Sequence, residues 1–471
     1  MRRPLATHII AAAVLLATGA LASGCSDKGS ATTDPPTAEN PDTLRIGMVL
    51  SLSGANATGD EAKRGAEVAV AQINALGGVL GKRLSLVVAD DTSDERVARR
   101  KVDELVAQGV VLGVGPSTNA AAVAMKDLVS TDKVLYISPS ATSPVLDDVM
   151  GADGGTPGGP AAEEGATPVF FRTAATDVFL ATAIAQYASQ LVNNEVRCRN
   201  IVLVAQGDDY GRPIANFVED RYQKLSLGIK RRLELDPNVD NASKLDDAAA
   251  RSAETLDAQC QIVVAQPQVA GAYMRSFRKY QRINPSKRDY SAFLTIGSDG
   301  LRQNQFISAG RTDPADAKSP TAGEGGFTLA ADTAPEPEFS TQEFSAFLNL
   351  YRARFPGTDA GRYASTAYDA VLLMAGAVER AESATDVKKI RQALFRISKG
   401  SIRVGPNRIT DYFELLRRGE DINYEGASGP CDFLPSGAVR SDFAAWQIVN
   451  ASFERRATFP ASVLSGETGG L

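Results

Sequence analysis

Apolar and polar positions along this chain switch repeatedly between a period of two and a period near 3.6. Residues 44–50 (LRIGMVL) make an apolar run of strand length. Over 59–76, Ala62, Ala66, Ala69, Ile73 and Leu76 recur at spacings of four, three, four and three, one stripe of an α-helix. Gly77 and Gly78 stop it. The exchange continues with a strand at 84–90, a helix at 95–108, a strand at 110–115, a helix at 119–130 and a strand at 134–138. A Gly- and Pro-rich stretch, 151–165, interrupts as a surface loop. The pattern then restarts, with strands at 201–205, 229–235, 261–265 and 292–297 separated by helices at 211–225, 245–259 and 269–281. Two further helices are expected at 341–355 and 363–381. Repeated βα units with apolar strands predict parallel, doubly wound sheets. Two such halves predict an α/β protein of two Rossmann-like lobes.

The N-terminus changes the picture from fold to compartment. Arg2 and Arg3 precede an apolar run from Ile9 to Leu21, which ends in Ala22-Ser23-Gly24-Cys25. That is an export signal closing on a lipobox, with Cys25 expected to carry lipid. The run is shorter than the ~20 residues a membrane span needs. Residues 26–43 contain no large apolar side chain and are expected to be a flexible tether. The protein is therefore expected in the cell envelope, lipid-anchored, on the periplasmic or extracellular face.

Composition then removes function classes. The one histidine is His8, inside the signal, so the exported chain has no imidazole for a nucleophilic triad, a proton shuttle or a metal site. No GxxxxGK[ST], HExxH or GxSxG signature is present, and no enzyme activity, metal or cofactor is expected. The acidic group Asp90, Asp91, Asp94 and Glu95 reads as a solvated loop and helix cap. Without Arg2 and Arg3 the balance is 48 Lys+Arg against 56 Asp+Glu with no basic stripe, which disfavours nucleic acid as a partner. Of the three later cysteines, Cys198 stands three residues before strand 201–205 and Cys260 immediately before 261–265. In a doubly wound order the first and third strands are neighbours, so both thiols sit at one end of adjacent strands, and a disulfide is expected. The alternative is two free buried thiols. Cys431 is left over.

Several short motifs follow one another along the chain: Leu52-Ser53-Gly54, Arg64-Gly65, Ile73 to Gly78, Asp90-Asp91, Gly115-Pro116 and Ile137 to Pro144. Phe171-Arg172-Thr173, Asp209-Tyr210-Gly211, Gly297 to Gly300, Tyr368-Asp369-Ala370 and Gly426 to Pro430 complete the series. In this order the chain resembles the type I periplasmic-binding fold, specifically the leucine/isoleucine/valine-binding family of ABC transporters. The resemblance implies two lobes joined by three hinge strands. One lobe would be 44–168 plus 332–435, the other 169–331 plus 436–460, with 461–471 a tail. It implies a monomer that captures a small amino-acid-like solute between its lobes and hands it to a membrane permease. A sensor or enzyme-activator lipoprotein reusing the fold is the alternative.

The implied site lies at the carboxyl ends of the strands, which agrees with the general rule for open α/β sheets. Thr118 and Asn119 begin a helix, and Ser140, Ala141 and Thr142 end a strand, so together they are expected to receive a carboxylate. Simple helix capping is the alternative reading of these residues. By the resemblance, Asp299 pairs with the solute's α-ammonium and Tyr210 packs on it. Thr58 and Gln266 stand where the family often has aromatic walls, which points to a more polar solute.

Overall fold

The computed structural model describes residues 42–464 apart from 55–56, 148, 151–166, 169, 194, 314 and 334–340. The expected signal with Cys25, nearly all of the tether, the loop at 151–165 and the tail beyond 464 lie outside the described residues.

Two sheets organise the chain. The first has the spatial order Arg83–Asp90, Thr43–Leu50, Leu112–Val114, Leu135–Ser138, Phe171–Arg172, all parallel. The second repeats that order with Gly228–Leu235, Asn200–Gln206, Cys260–Val264, Leu294–Gly297 and Phe327–Ala331. It then adds Phe443–Val449 and Ser452–Phe459 as antiparallel strands. Each sheet is thus doubly wound, and its order reverses between its first and third strands. The chain passes from one sheet to the other after Arg172, after Ala331 and again before Phe443.

Both faces of each sheet are covered, which explains why the central strands read as continuous apolar runs. Ile46, Met48 and Leu50 point into one core of the first lobe and Val49 into another. Leu203 and Ala205 face one side of the second sheet, Val202 and Val204 the other. Helix Tyr363–Ala381 is buried along nearly its whole length and lies against helix Gly59–Ala75. Their close approach needs Gly65, because a Cβ there would stand 1.9 Å from the Ala364 carbonyl oxygen.

Two of the separated motifs prove to be one structural unit. The Asp369 carboxylate accepts from the Tyr424 hydroxyl, the Ala427 and Ser428 N–H groups and the Ser428 hydroxyl, at 2.6–2.9 Å. In the second lobe Cys198 and Cys260 form a disulfide, and Cys431 is a buried free thiol.

The structure differs from the sequence reading at identifiable places. Phe171–Arg172 pairs with Ile137 and Ser138, so the first sheet runs past the boundary expected at 168. The helix expected over 119–130 is two short pieces, Asn119–Ala124 and Lys126–Ser130, because buried Met125 leaves the helical region. The helix expected to reach 259 stops at Ala253. Beyond it Arg288 donates to the carbonyls of Ala253, Thr255, Leu256 and Ala258, which serve this turn rather than a helix. The tail begins with helix Ala461–Leu464, whose Leu464 is buried in the second lobe. Helices Asp177–Ser189, Val387–Ile397 and Ile409–Arg417 and strand Ser452–Phe459 were not anticipated.

Candidate functional site in the interlobe cleft

The carboxyl ends of both sheets meet at a cavity of about 380 Å³. Its first-lobe wall comes from three strand ends and from Tyr363, at the start of helix Tyr363–Ala381. Thr58 follows Thr43–Leu50, Ser117, Thr118 and Asn119 follow Leu112–Val114, and Ser140 and Thr142 follow Leu135–Ser138. This wall carries hydroxyls and amides and no charge. The second-lobe wall uses the corresponding strand ends: Asp208, Asp209 and Tyr210 after Asn200–Gln206, Gln266 after Cys260–Val264, and Asp299 after Leu294–Gly297. Of the nine residues singled out from the sequence for ligand binding, eight line this cavity. The ninth, Ala141, does not; its side chain is fully buried in the first lobe's core and its N–H donates to the Ser138 hydroxyl at 2.9 Å.

The first-lobe wall is held by its own polar groups. Asn119 Oδ1 accepts from the N–H groups of Thr142 (2.7 Å) and Ser143 (3.0 Å). Thr118 Oγ1 accepts from the Ala121 N–H, and the Ser140 hydroxyl donates to the Ser117 carbonyl. Asn119 therefore spends its carbonyl oxygen on positioning the loop that carries Ser140 and Thr142. The capping reading of Thr118 is realised in the same geometry.

Asp299 departs most from expectation. It lines the cavity, but its carboxylate already has protein partners: Oδ1 accepts a short hydrogen bond from the Tyr210 hydroxyl, and Oδ2 accepts from Arg362 Nη1 at 2.8 Å. Arg362 belongs to the first lobe, at the start of helix Tyr363–Ala381, and its Nη1 also reaches the Asp299 carbonyl at 3.3 Å. The side chains of Arg362 and Asp299 are only 15% and 9% exposed, so this ion pair is desolvated and joins the two lobes. The Tyr210 hydroxyl is further fixed by Ser298 Oγ and the Gly300 N–H. Burial and the Asp299 charge raise the Tyr210 pKa well above its ordinary value.

A second cavity of about 20 Å³, room for about one water, shares Thr142, Asp299 and Tyr363 with the cleft and is also lined by Asp177 and Arg362. Burial pushes the Asp177 carboxyl up to about 7, against the pull of the Thr142 hydroxyl, and one of its oxygens has no hydrogen-bond partner. Tyr363, half-buried, is pushed up by desolvation to about 12.

Sequence reasoning missed Arg362, Tyr363 and Asp177. One signal for Arg362 existed. A cation at a helix N-terminus opposes the helix dipole, so an arginine at this place implies a carboxylate outside the helix. Among the described residues no group of three or more His, Cys, Asp or Glu is placed to hold a metal, and no helix is long and apolar enough to cross a membrane.

Comparison with known proteins adds to this geometry. The Leu/Ile/Val-binding protein BraC3 of Rhizobium johnstonii is 26% identical over 354 residues, covering 74% of this chain and 83% of that one. The branched-chain amino acid transporter substrate binding protein LivJ of Streptococcus pneumoniae, solved with isoleucine, superposes with a TM-score of 0.66 at 22% identity. That match covers 89% of this chain and 99% of the other. A solute binding protein of an ABC transporter from Rhodopseudomonas palustris, solved with 3,4-dihydroxy benzoic acid, gives 0.63 at 17%, covering 91% and 100%. These relatives are binding proteins, and the solved structures share the two-lobed type I periplasmic-binding fold. The family model of the receptor family ligand binding region matches residues 61–451, most of the chain, and the protein belongs to that family.

Proposed function

We propose that this protein is the solute-capturing receptor of an ABC importer, an exported lipoprotein that closes two lobes on one small polar molecule and presents it to a membrane permease. The observation that carries this reading is the convergence of both switch points on one cavity. Thr58, Thr118, Ser140 and Thr142 face Tyr210, Gln266 and Asp299 across it. A molecule touching both walls stabilises the closed arrangement by its differential affinity for it. The named solutes of similar proteins, leucine, isoleucine and valine among them, set the size of molecule expected. The chain acts as a monomer and performs no catalysis: the exported part has no histidine, and the buried acids Asp299 and Asp369 are engaged with donors of the scaffold. Lipid on Cys25 supplies the anchor.

The test is mass spectrometry of small molecules released on denaturing protein purified from its own membranes, with scattering before and after release. One bound species per chain and a larger radius once it is removed are expected. A protein that retains nothing, and shows no change of radius with any solute of a metabolite library, is not a receptor of this kind. Cys25→Ala should move the protein out of the membrane fraction, and continued sedimentation with membranes would rule out the lipid anchor.

A further inference from the structure

A cation, Arg362, stands beside the cleft cavity and pairs with the one buried acid that lines it, Asp299. We propose that Arg362 determines specificity by taking the place of a solute ammonium on Asp299, so that the group the solute presents there is a neutral hydroxyl and not an amine. This rests on the receptor reading above and narrows its substrate class.

A desolvated ammonium needs a buried carboxylate whose charge no protein cation already neutralises, in a space that can hold it; Asp177, one oxygen of which has no partner, lines only the adjoining cavity of about 20 Å³, room for about one water. Of the acids lining the cleft cavity, Asp209 is exposed to solvent. Asp208 accepts from the N–H groups of Tyr210 and Gly211 and from the Gln206 side-chain amide. Asp299 is the buried one, and both its oxygens are engaged, one by Tyr210 and the other by Arg362. An incoming ammonium would meet a carboxylate whose charge Arg362 already neutralises, and would be desolvated beside a fixed cation unless it expelled the guanidinium. Arg362 sits where helix Tyr363–Ala381 begins, and the Gly65–Ala364 contact fixes that helix end against its neighbour. The guanidinium also lies over the Tyr363 ring, with Glu61 as a second acid nearby. Separating the pair would strand a buried charge on each lobe. A hydroxyl meets no such conflict, since it can donate to a remaining lone pair of Asp299 without displacing a charge.

Titration calorimetry with matched pairs decides the matter: leucine, valine, phenylalanine and glutamate, each against the 2-hydroxy acid of the same skeleton. With the wild-type chain, at least one 2-hydroxy acid should bind tenfold or more tightly than its amino acid. Arg362→Ala bares Asp299 and should reverse that preference by at least tenfold, whereas Arg362→Lys should keep it. Should Arg362→Ala fail to fold, the neutral pair Arg362→Gln with Asp299→Asn keeps the contact without charge, and its discrimination should fall to within about threefold of none. The proposal is overturned if the wild type binds an amino acid as tightly as its hydroxy acid, if the ratio is unmoved in folded Arg362→Ala or in the neutral pair, or if every pair is silent. Tight binding of an amino acid would remove this inference and leave the receptor reading standing. A chain that retains no small molecule would remove the reading itself.

Discussion

Asp369 in the first lobe and Asp299 in the cleft are both buried carboxylates with hydrogen bonds to each oxygen, but their donors come from different places. Asp369 takes all four from its own lobe, from Tyr424, Ala427 and Ser428. Asp299 takes one from Tyr210 in its own lobe and one from Arg362 in the other. The first arrangement is indifferent to how the lobes sit, and the second exists only while they adjoin. Asp369 therefore holds one lobe together and Asp299 links the two, although both lie in equally recognisable sequence motifs. The same contrast separates the reinforcement of the lobes: a polar cradle in the first and a covalent bridge in the second.

The covalent bridge should give the largest effect. Cys198 and Cys260 close a loop with a sequence separation of 62, and in the chain-entropy account a bridge of that span is worth about 4 kcal/mol. Replacing both by Ala should lower unfolding stability by that order in urea, with the second lobe melting first. Loss of the first lobe's signal ahead of the second would refute the assignment of the bridge to the second lobe's stability.

Removing the cradle is the counterpart. Asp369→Ala leaves the Tyr424 hydroxyl and two backbone N–H groups buried without an acceptor, and should cost about 3 kcal/mol. The damage should appear in the first lobe, with the disulfide-bridged lobe still cooperative by hydrogen exchange. A loss below about 1 kcal/mol would mean that Tyr424 and the Ala427–Ser428 turn find other partners.

These residues also mark how far the sequence could be read. The two sheets were legible because their strands are buried on both faces and punctuated by Gly, Asp and Pro turns. The disulfide was legible because strand order placed two cysteines at one end of neighbouring strands. The cavity walls were legible because hydroxyl and amide residues stand at successive strand ends. What escaped depends on contacts between distant segments. Arg362 and Asp299 are 63 positions apart and in different lobes, and no local pattern states that one neutralises the other. Helix Asp177–Ser189 escaped because it is apolar on nearly every side, Leu180 to Ala185 being buried throughout, so it has no polar stripe to give the period away.

Acid titration sharpens the comparison between a cradled and a sparsely partnered carboxyl. Burial raises both Asp369 and Asp177 above 3.8, but Asp369, with four donors, reaches about 6 and Asp177 about 7. Each has a folded pKa above its unfolded value. Proton uptake by the folded state therefore adds stability that is fully present below pH 3.8 and is lost as pH rises through 6 and 7. Asp177 alone contributes a slope of up to about 1.4 kcal/mol per pH unit in that window. Asp177→Asn, which mimics the neutral form, should flatten the upper part of the pH–stability curve and raise the melting temperature at pH 8. An unchanged curve would place the Asp177 pKa near that of a solvated acid.

The smallest effect belongs to Asn119, and it separates positioning from ligand contact. Its Oδ1 holds the N–H groups of Thr142 and Ser143, both in the loop that presents the first-lobe wall. Asn119→Ala strands two partly buried donors and should cost about 1–2 kcal/mol. Asn119→Asp keeps an acceptor oxygen at the same place, at the start of a short helix where a negative charge is tolerated, so stability should stay within about 0.5 kcal/mol of wild type. Thermal melts of the two variants then read the clamp directly. Because both partners lie in the first lobe, the difference between the Ala and Asp variants should be the same in the Arg362→Ala background, additive as expected for sites without a shared partner. A difference that vanishes there would mean that the wall is held by closure across the cleft, as Asp299 is, and not by its own lobe, as Asp369 is.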